Sequence, residues 1–386
     1  MTSTLPTKVG SPRRESDAGQ GAVSRAGARR LLHRGLSFLD AITTPHGIDR
    51  YLELVDPMLA VREIRGRVTK VVRSTPDTVT LTVRTSVAFT GFQAGQFVLV
   101  SVLIDGVRRT RPYSPANSQH STDGFIELTI KADPNGIVSP YLVANAKPGM
   151  VLGLSVADGK FTMPQARPEK ILLVSGGSGI TPVLSMLRTL IDENYNGEIV
   201  FLHYAYTKAD VPCRDELVRL AAAAPNVRLI FGYTDAKDGD LQGFFGEKHL
   251  KQAAPWHREA HTYLCGPAGL MKAVREHYSK IGLLDQLFVE EFAPTVTVNP
   301  GEATGAITFA QSRVATPNNG EVILKQAEGA GLHPEYGCRM GICYSCTQIK
   351  KSGCVRNIIS GEISDDPDEQ IQLCISVPLS DVTIDI

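Results

Sequence analysis

Four cysteines near the C-terminus constrain this chain more than any other feature. Cys338, Cys343 and Cys346 fall in a C-x4-C-x2-C spacing, and Cys374 follows 28 positions later. That is the ligand spacing of a plant-type two-iron two-sulfur cluster. Gly337 and Gly341 let a short loop wrap its backbone closely about a metal centre, with amide N–H groups turned toward the sulfides. A four-thiolate zinc site and a set of disulfides are the competing readings. Zinc sites pair thiols as C-x2-C or mix in histidine, which the x4 gap and the distant Cys374 fit poorly. Disulfides imply secretion, and the N-terminal stretch does not read as a secretory leader.

A chain of 386 residues implies two or three domains. Its 40 basic and 40 acidic side chains cancel, which argues against a nucleic-acid partner. No run of about 18 apolar residues occurs, so the chain is not expected to be transmembrane itself. With seven cysteines it is no disulfide scaffold, and a cytoplasmic location is expected.

Residues 1–60 read as an extension. The first 30 are rich in Ser, Gly, Ala, Arg and Pro and are expected to be disordered. Leu31, Leu32, Leu36, Phe38, Leu39 and Ile42 then keep a helical spacing that stops near Pro45. Arg29, Arg30, His33 and Arg34 stand at its start. Such a helix either docks on the protein's own body or lies on a membrane surface or a membrane-bound partner. The second reading would make the protein peripheral at the inner face of the membrane.

Residues 61–166 read as all-β. Short β-rich runs at 68–72, 78–83, 97–104, 125–130 and 151–156 alternate with Asp-Gly and Pro-Gly turns, predicting a closed or nearly closed antiparallel barrel. Two loops within it carry chemistry. In Arg111-Pro112-Tyr113-Ser114 a guanidinium can pair a phosphate while the phenol lies on an aromatic cofactor. Ser114 offers a hydroxyl and an amide to a ring nitrogen. In the second loop Gly136 permits close backbone approach and Ser139 caps a helix facing a pyrophosphate.

Residues 167–293 change character at Glu169. The run 170–174 is a buried parallel strand by pattern and leads into Ser175-Gly176-Gly177-Ser178-Gly179-Ile180-Thr181-Pro182. This turn can bring backbone N–H groups to a dinucleotide pyrophosphate, although it is not a strict G-x-G-x-x-G. Strands at 198–204, 227–230 and 263–264 alternate with helices at 183–190, 213–223 and 268–280. The expectation is an open α/β domain with ligands at the C-terminal strand ends. Tyr206, Lys208 and Arg214 leave NADPH and NADH both open.

Residues 294–304 read as a linker and 305–386 as a last domain. It holds a hairpin at 306–314, a helix at 321–329 and strands at 373–376 and 382–386. Cys354 is not expected to be a ligand, because four thiolates already complete the site. The acidic run Glu362, Asp365, Asp366, Asp368 and Glu369 either steers a basic partner or is a solvated loop.

Over residues 60–386 the chain resembles the ferredoxin–NADP⁺ reductase superfamily. It is most similar to three-part oxidoreductases in which flavin, nicotinamide and plant-type ferredoxin domains follow one another. The implied fold is multidomain: an antiparallel β-barrel for FAD, an α/β domain with a parallel sheet for NAD(P)H, and an α+β β-grasp ferredoxin domain. The resemblance implies that Arg111, Tyr113 and Ser114, with Pro112 between them, hold pyrophosphate, stack on the ring and face the flavin N5. Gly136, Val138 and Ser139 would help bind the FAD pyrophosphate. Gly176, Gly177, Gly179, Thr181 and Pro182 would form the nucleotide loop. Cys265 would stand near the nicotinamide C4, with Gly266 and Pro267 shaping its loop; an inert buried thiol is the alternative. Glu290 and Phe292 would lie near the flavin, Glu290 either as a proton or polar contact or as a plain edge-strand carboxylate. Where the family has a small pair between its second and third ligands, this chain has Tyr344-Ser345, whose ring is expected to cover the cluster edge. Residues 49–57 further resemble electron-transfer partners of fatty-acid and acyl-CoA desaturases.

These cofactors share one logic. A nicotinamide gives two electrons as hydride, a two-iron cluster accepts one at a time, and FAD converts between the two. A low cluster potential, about −400 mV, suits an external iron oxygenase. The chain offers no haem-binding pattern, and its nine histidines form no non-haem iron motif. It therefore reads as an NAD(P)H-dependent reductase whose acceptor is a membrane desaturase, or alternatively a Rieske or other aromatic-ring or alkane oxygenase. A redox sensor or interaction protein is the reading from another class.

Overall fold

A computed structural model describes residues 52, 54–60, 63–121, 123–134, 136–292 and 303–386. The expected disorder over 1–30, the helix over 31–42 and most of the linker at 294–304 lie outside these residues. The chain divides into two compact units, 1–60 and 61–386. In the first, Pro57–Leu59 makes a single 3-10 turn, and Asp56 Oδ1 accepts from the Met58 amide at 2.9 Å.

The second unit begins with six antiparallel strands: β1 (Ile64–Thr75), β2 (Thr78–Thr85), β3 (Val98–Ile104), β4 (Val107–Tyr113), β5 (Phe125–Lys131) and β6 (Val151–Leu154). They lie in the order β4-β3-β6-β1-β2-β5. Every second residue points inward, as the period of a strand requires. Val79, Leu81 and Val83, Val98 and Val100, and Ile126, Leu128 and Ile130 are fully buried together. The sheet expected to be a closed or nearly closed barrel is a curled half-barrel. Its edges meet through one bridge, Pro115 to Leu128, beside the Ala116 amide donating to the Glu127 carbonyl at 2.7 Å. Helix α1 (Val138–Asn145) plugs this core with Val138 and Leu142.

A parallel sheet follows, built from β7 (Lys170–Gly176), β8 (Glu198–Ala205), β9 (Val227–Tyr233), β10 (Leu241–Gln242), β11 (His261–Cys265) and β12 (Leu287–Glu290). The order is β10-β9-β8-β7-β11-β12. Helices α2 (Ile180–Asp192), α3 (Arg214–Ala223), α4 (Glu247–Ala253) and α5 (Ala268–Lys280) cover both faces. That explains the unbroken apolar run in β7. Ile171 and Leu173 pack with α2 on one face, and Leu172 and Val174 with α5 on the other.

Helix α2 also joins the two sheets. Ser185 Oγ donates to the Asn117 carbonyl at 2.7 Å. Arg188 Nη1 donates to the Ala116 carbonyl and to Glu127 Oε2, both at 2.7 Å, while its other nitrogens hold Glu216.

Residues 303–386 form β13 (Ala306–Phe309), β14 (Val314–Pro317), α6 (Ile323–Gly329), β15 (Thr347–Ser352), β16 (Val355–Asn357), β17 (Ile363–Ser364), β18 (Glu369–Gln372), β19 (Ser376–Pro378) and β20 (Val382–Ile384). Five strands make a mixed sheet in the order β14-β13-β20-β15-β18, and β17-β16-β19 form a smaller one. Ile323, Leu324 and Ala327 of α6 pack on Ile307, Phe309 and Leu373. Of the strand expected at 373–376, only Ser376 lies in one, β19; residues 373–375 are the gap after β18, and Cys374 sits in it. Among the described residues no helix is long and apolar enough to cross a membrane.

Arg188 is 14% exposed and sits in a charge network with the half-buried Glu127 and Glu216. Arg188→Ala should cost about 2 kcal/mol in denaturant unfolding, because both carboxylates lose their cation and the Ala116 carbonyl loses its donor. An exposed control, Arg219→Ala, should change stability by less than about 0.5 kcal/mol.

Candidate functional site

The Arg-Pro-Tyr-Ser segment is the end of a strand, not a loop. Strands β3 and β4 form a hairpin around Asp105-Gly106, both with positive φ (51° and 79°), as a tight two-residue turn demands. The register places Val100 opposite Arg111, Leu99 opposite Pro112 and Val98 opposite Tyr113. Pro112 is tolerated because β4 is an edge strand. Burial pushes the Tyr113 phenol pKa above its ordinary value. Ser114 is 2% exposed and its Oγ has no protein partner. An orphaned buried hydroxyl beside a half-buried phenol fits a ring-shaped polar ligand.

Ser139 does not cap helix α1. The cap position is Ile137, with no side-chain bond, and Ser139 Oγ instead accepts from the Asp133 amide at 3.1 Å. The hydroxyl is used to tie 133–139 into a closed loop, together with the Gly136 amide donating to the Asp133 carbonyl at 2.8 Å. Val138 is fully buried beneath it.

The nucleotide loop follows β7. Gly177 takes φ 52°. Gly176 and Gly179 are required by contact instead. A Cβ on Gly176 would fall 2.9 Å from Pro267 Cδ, and one on Gly179 would collide with the Cys265 carbonyl and lie 2.6 Å from the Gly266 nitrogen. The two loops therefore touch backbone to backbone. Thr181 and Pro182 are buried in the first turn of α2, which begins at Ile180 rather than at 183. Pro182 costs no hydrogen bond there.

In register, Cys265 lies beside Ser175 of β7 and Glu290 of β12. Cys265 is fully buried, and burial, then Glu290 and Glu291, hold its thiol well above the ordinary range, so it is neutral. Burial, then Glu291, raises Glu290 to about 7. Strand β12 ends at Glu290, and Phe292 follows it, 39% exposed. A cleft of about 480 Å³ opens between Ser178, Gly266, Pro267, Met271, Glu291 and Phe292. A second, of about 360 Å³, runs over Gly176–Ser178 to Tyr206, Asp210, Phe244 and Phe245. It lies at the C-terminal ends of the parallel strands, where the α/β pattern puts a dinucleotide.

Sequence reasoning missed the buried Ser175–His203 contact. Ser175 Oγ and His203 Nδ1 are 2.8 Å apart, and burial holds the imidazole at about 3, hence neutral. Its only signal was a histidine within an apolar strand.

The four cysteines form two pairs. Cys343 is hydrogen-bonded with Cys338, and Cys346 with Cys374; these bonds lower the pKa of Cys343 and Cys346 and raise that of their partners. The Cys338 amide donates to Cys343 Sγ at 3.0 Å and the Met340 amide to Cys338 Sγ at 3.3 Å. A Cβ at Gly337 would fall 2.5 Å from Cys343 Sγ. No disulfide forms. Among the described residues no three or more His, Cys, Asp or Glu side chains are grouped as a metal-ion site. The donor chemistry fits a thiolate-held group, since two of the four thiols are inclined to ionise and amides point at sulfur. Cys354 stands apart; its amide donates to Ser380 Oγ. Tyr344 has φ 58° and is 69% exposed, so its ring stands largely in solvent.

The cysteine loop meets β4. Arg111 Nη1 donates to the Gly337 carbonyl, and the Tyr336 ring lies under the guanidinium groups of Arg109, Arg111 and Arg339 at 5.9, 5.5 and 3.9 Å. Arg339 is held in turn by Glu328.

Residues 65–163 match the oxidoreductase FAD-binding domain and 173–276 the oxidoreductase NAD-binding domain. The chain is 39% identical, over 89% of its length and 90% of the relative's, to an NADPH oxidoreductase from Mycobacterium tuberculosis. It is 32% identical to a glycine betaine monooxygenase reductase subunit from Pseudomonas aeruginosa, covering 76% and 87%. Among solved structures, a phthalate dioxygenase reductase matches at TM-score 0.54 and 23% identity, covering 83% of this chain and 97% of that one. FAD and NAD(P)H binding follow from these matches.

Two outcomes are expected. Gly179→Ala should lower kcat/KM for NAD(P)H about 100-fold, with FAD content unchanged, because the added methyl must part the two loops. For Glu290, the folded chain keeps between pH 4.5 and 7 a proton that the unfolded chain has lost. Its stabilising contribution is present below pH 4.5 and lost as pH rises through 7. Glu290→Gln should thus stabilise the cofactor-free protein by about 2 kcal/mol at pH 8 and not at pH 4.5, measured by urea unfolding.

Proposed function

Because this chain belongs to the FAD- and NAD-binding ferredoxin-reductase-like oxidoreductases, we propose that it is the NAD(P)H-dependent reductase component of an external oxygenase, with residues 305–386 as its own β-grasp ferredoxin domain. The observation that carries this reading is the contact between the two thiol pairs' loop and the flavin-motif arginine, Arg111 to Gly337. A two-iron group takes two thiolates on each iron, so two pairs suit it better than one fourfold convergence. The match to the phthalate dioxygenase reductase, a modular structure for electron transfer to [2Fe-2S], covers more of this chain than residues 1–302 make up, which supports the same fold for the last segment.

FAD supplies the conversion of a hydride into single electrons, and a two-iron cluster carries those singly. The residues supply binding and order. Tyr113 and the orphaned Ser114 hydroxyl form the flavin's ring site. The closed loop at Gly136, Val138 and Ser139 backs its pyrophosphate. Gly176, Gly177 and Gly179, with Thr181 and Pro182, hold the nicotinamide nucleotide's pyrophosphate at the start of α2. Cys265, neutral and buried with Gly266 and Pro267 beside it, aligns the nicotinamide without acting as a nucleophile. Glu290 holds or releases a proton near neutral pH. Phe292 flanks the cleft where the nicotinamide enters. Cys338, Cys343, Cys346 and Cys374 are the cluster's ligands.

As acceptor, the names of the relatives favour an oxygenase over the desaturase first expected. The P. aeruginosa relative is a monooxygenase reductase subunit. The residues that suggested a membrane desaturase, 31–57, lie mostly outside the described ones.

Metal and sulfide analysis of the purified protein tests the reading. It should find two irons and two labile sulfides per chain. Cys374→Ser should lose both and keep FAD. Zinc without labile sulfide would overturn the cluster assignment.

A further inference from the structure

Beyond the cysteine loop lies an exposed surface that the reductase chemistry does not use. Tyr344 (69% exposed), Ile359 (60%) and Ile363 (58%) are large apolar side chains turned to water. Tyr344 belongs to the loop, and Ile359 and Ile363 belong to the neighbouring β16–β17 pair and its turn. Ile359 Cδ1 stands so near Gly341 that a Cβ there would lie 3.2 Å away. Ile363 lies opposite Arg356 in the β16–β17 pair, whose connecting turn carries Ile359, its amide donating to Asn357 Oδ1 at 2.9 Å. Beside Tyr344 a groove of about 200 Å³ runs between Glu362, Ser364, Glu369 and Gln372.

The rim of this patch is acidic, and it is held in place from beneath. Lys350 is fully buried. Its ammonium donates to the carbonyls of Gly353 (3.0 Å), Ser364 (3.4 Å) and Asp366 (2.6 Å) and pairs with Glu369 at 3.4 Å. A lysine is buried only where several acceptors replace its water. Here they come from the segment that carries the carboxylates, so that segment is fixed. Lys351 neutralises Asp368 at 3.1 Å. Glu362, Asp365 and Asp366 make no ion pair among the described residues, and all three are exposed.

Resting on the reductase reading, we propose that the Tyr344–Ile359–Ile363 patch is the docking surface for the electron-accepting protein, and that this partner presents an apolar centre ringed by Lys and Arg. Two observations favour such an occupant. Exposed large apolar side chains beside a groove are the core of an interface, with a charged rim around it. Three unpaired, fixed carboxylates complement a basic ring and steer its approach. The flavin half meets the cysteine loop through Tyr336 and Gly337, which leaves Gly341 to Tyr344 for a second contact.

The test uses the holoprotein with cytochrome c, a lysine-ringed one-electron acceptor, as the probe. One NADH reduces two cytochromes c and releases one proton, so electrons balance. The triple variant Glu362→Gln, Asp365→Asn, Asp366→Asn should show kcat/KM for cytochrome c about tenfold lower and nearly independent of salt. Ile363→Ser should raise KM without changing the salt slope. Ferricyanide reduction should be unchanged in both. A control with Asp192→Asn and Asp215→Asn, exposed carboxylates on the nicotinamide half, should behave as wild type. If wild type reduces cytochrome c and the triple variant does so equally well, the docking surface is wrong. If the control loses as much as the triple variant, the effect is general charge, and the proposal also fails. If sedimentation shows the triple variant breaking a dimer of wild type, the occupant is a second copy instead. If wild type reduces ferricyanide but no cytochrome c, the reading of a protein-reducing component fails first.

Discussion

The backbone of Gly179 lies against the carbonyl of Cys265 and the nitrogen of Gly266, with no room for a side chain between them. That contact governs the arrangement of the nicotinamide half. It lets the turns after β7 and β11 share the end of one sheet, so Ser178 just before α2 and the Gly266-Pro267 turn line one cleft, with Cys265 buried behind it. Helix α2, fixed at its start by this contact, then reaches the half-barrel with Ser185 and Arg188. Displacing the loops would shift the nucleotide site and the joint between the two sheets together.

A second contact makes the other end of the path. Arg111 belongs to the proposed flavin motif, and its guanidinium holds the Gly337 carbonyl, next to the first cysteine of the loop. The Tyr336 ring among three guanidinium groups adds attraction that is partly shielded from water. Under the proposed reading Arg111 links the flavin's segment to the thiol loop, and single-electron transfer requires such proximity.

Much of this was legible in the sequence where one physical cause dominates. The apolar run of β7 signals a strand covered on both faces, and the glycines of 176–179 signal close approach. The cysteine spacing marks four thiols as one set, but their division into Cys338–Cys343 and Cys346–Cys374 pairs has no sequence signal. Strand β4 was not legible, because Val-Arg-Arg-Thr-Arg-Pro-Tyr lacks alternating apolar residues and is a strand only through pairing with β3. Ser139 looked like a helix cap because its type is right, but tertiary geometry gives its hydroxyl to Asp133. The burial of Lys350 has no sequence signal, since it depends on carbonyls 3 to 16 residues away. The Arg111–Gly337 bond spans 226 residues and has no local signature.

The central claim is that electrons pass from nicotinamide through the flavin to the cysteine-held group within this one chain. Anaerobic stopped-flow absorbance, with NADH and NADPH added separately to the holoprotein, tests it most directly. The account predicts that flavin absorbance falls first and that iron–sulfur bands fall after it, in the same mixing experiment. Flavin bleaching with no later iron–sulfur phase would contradict it.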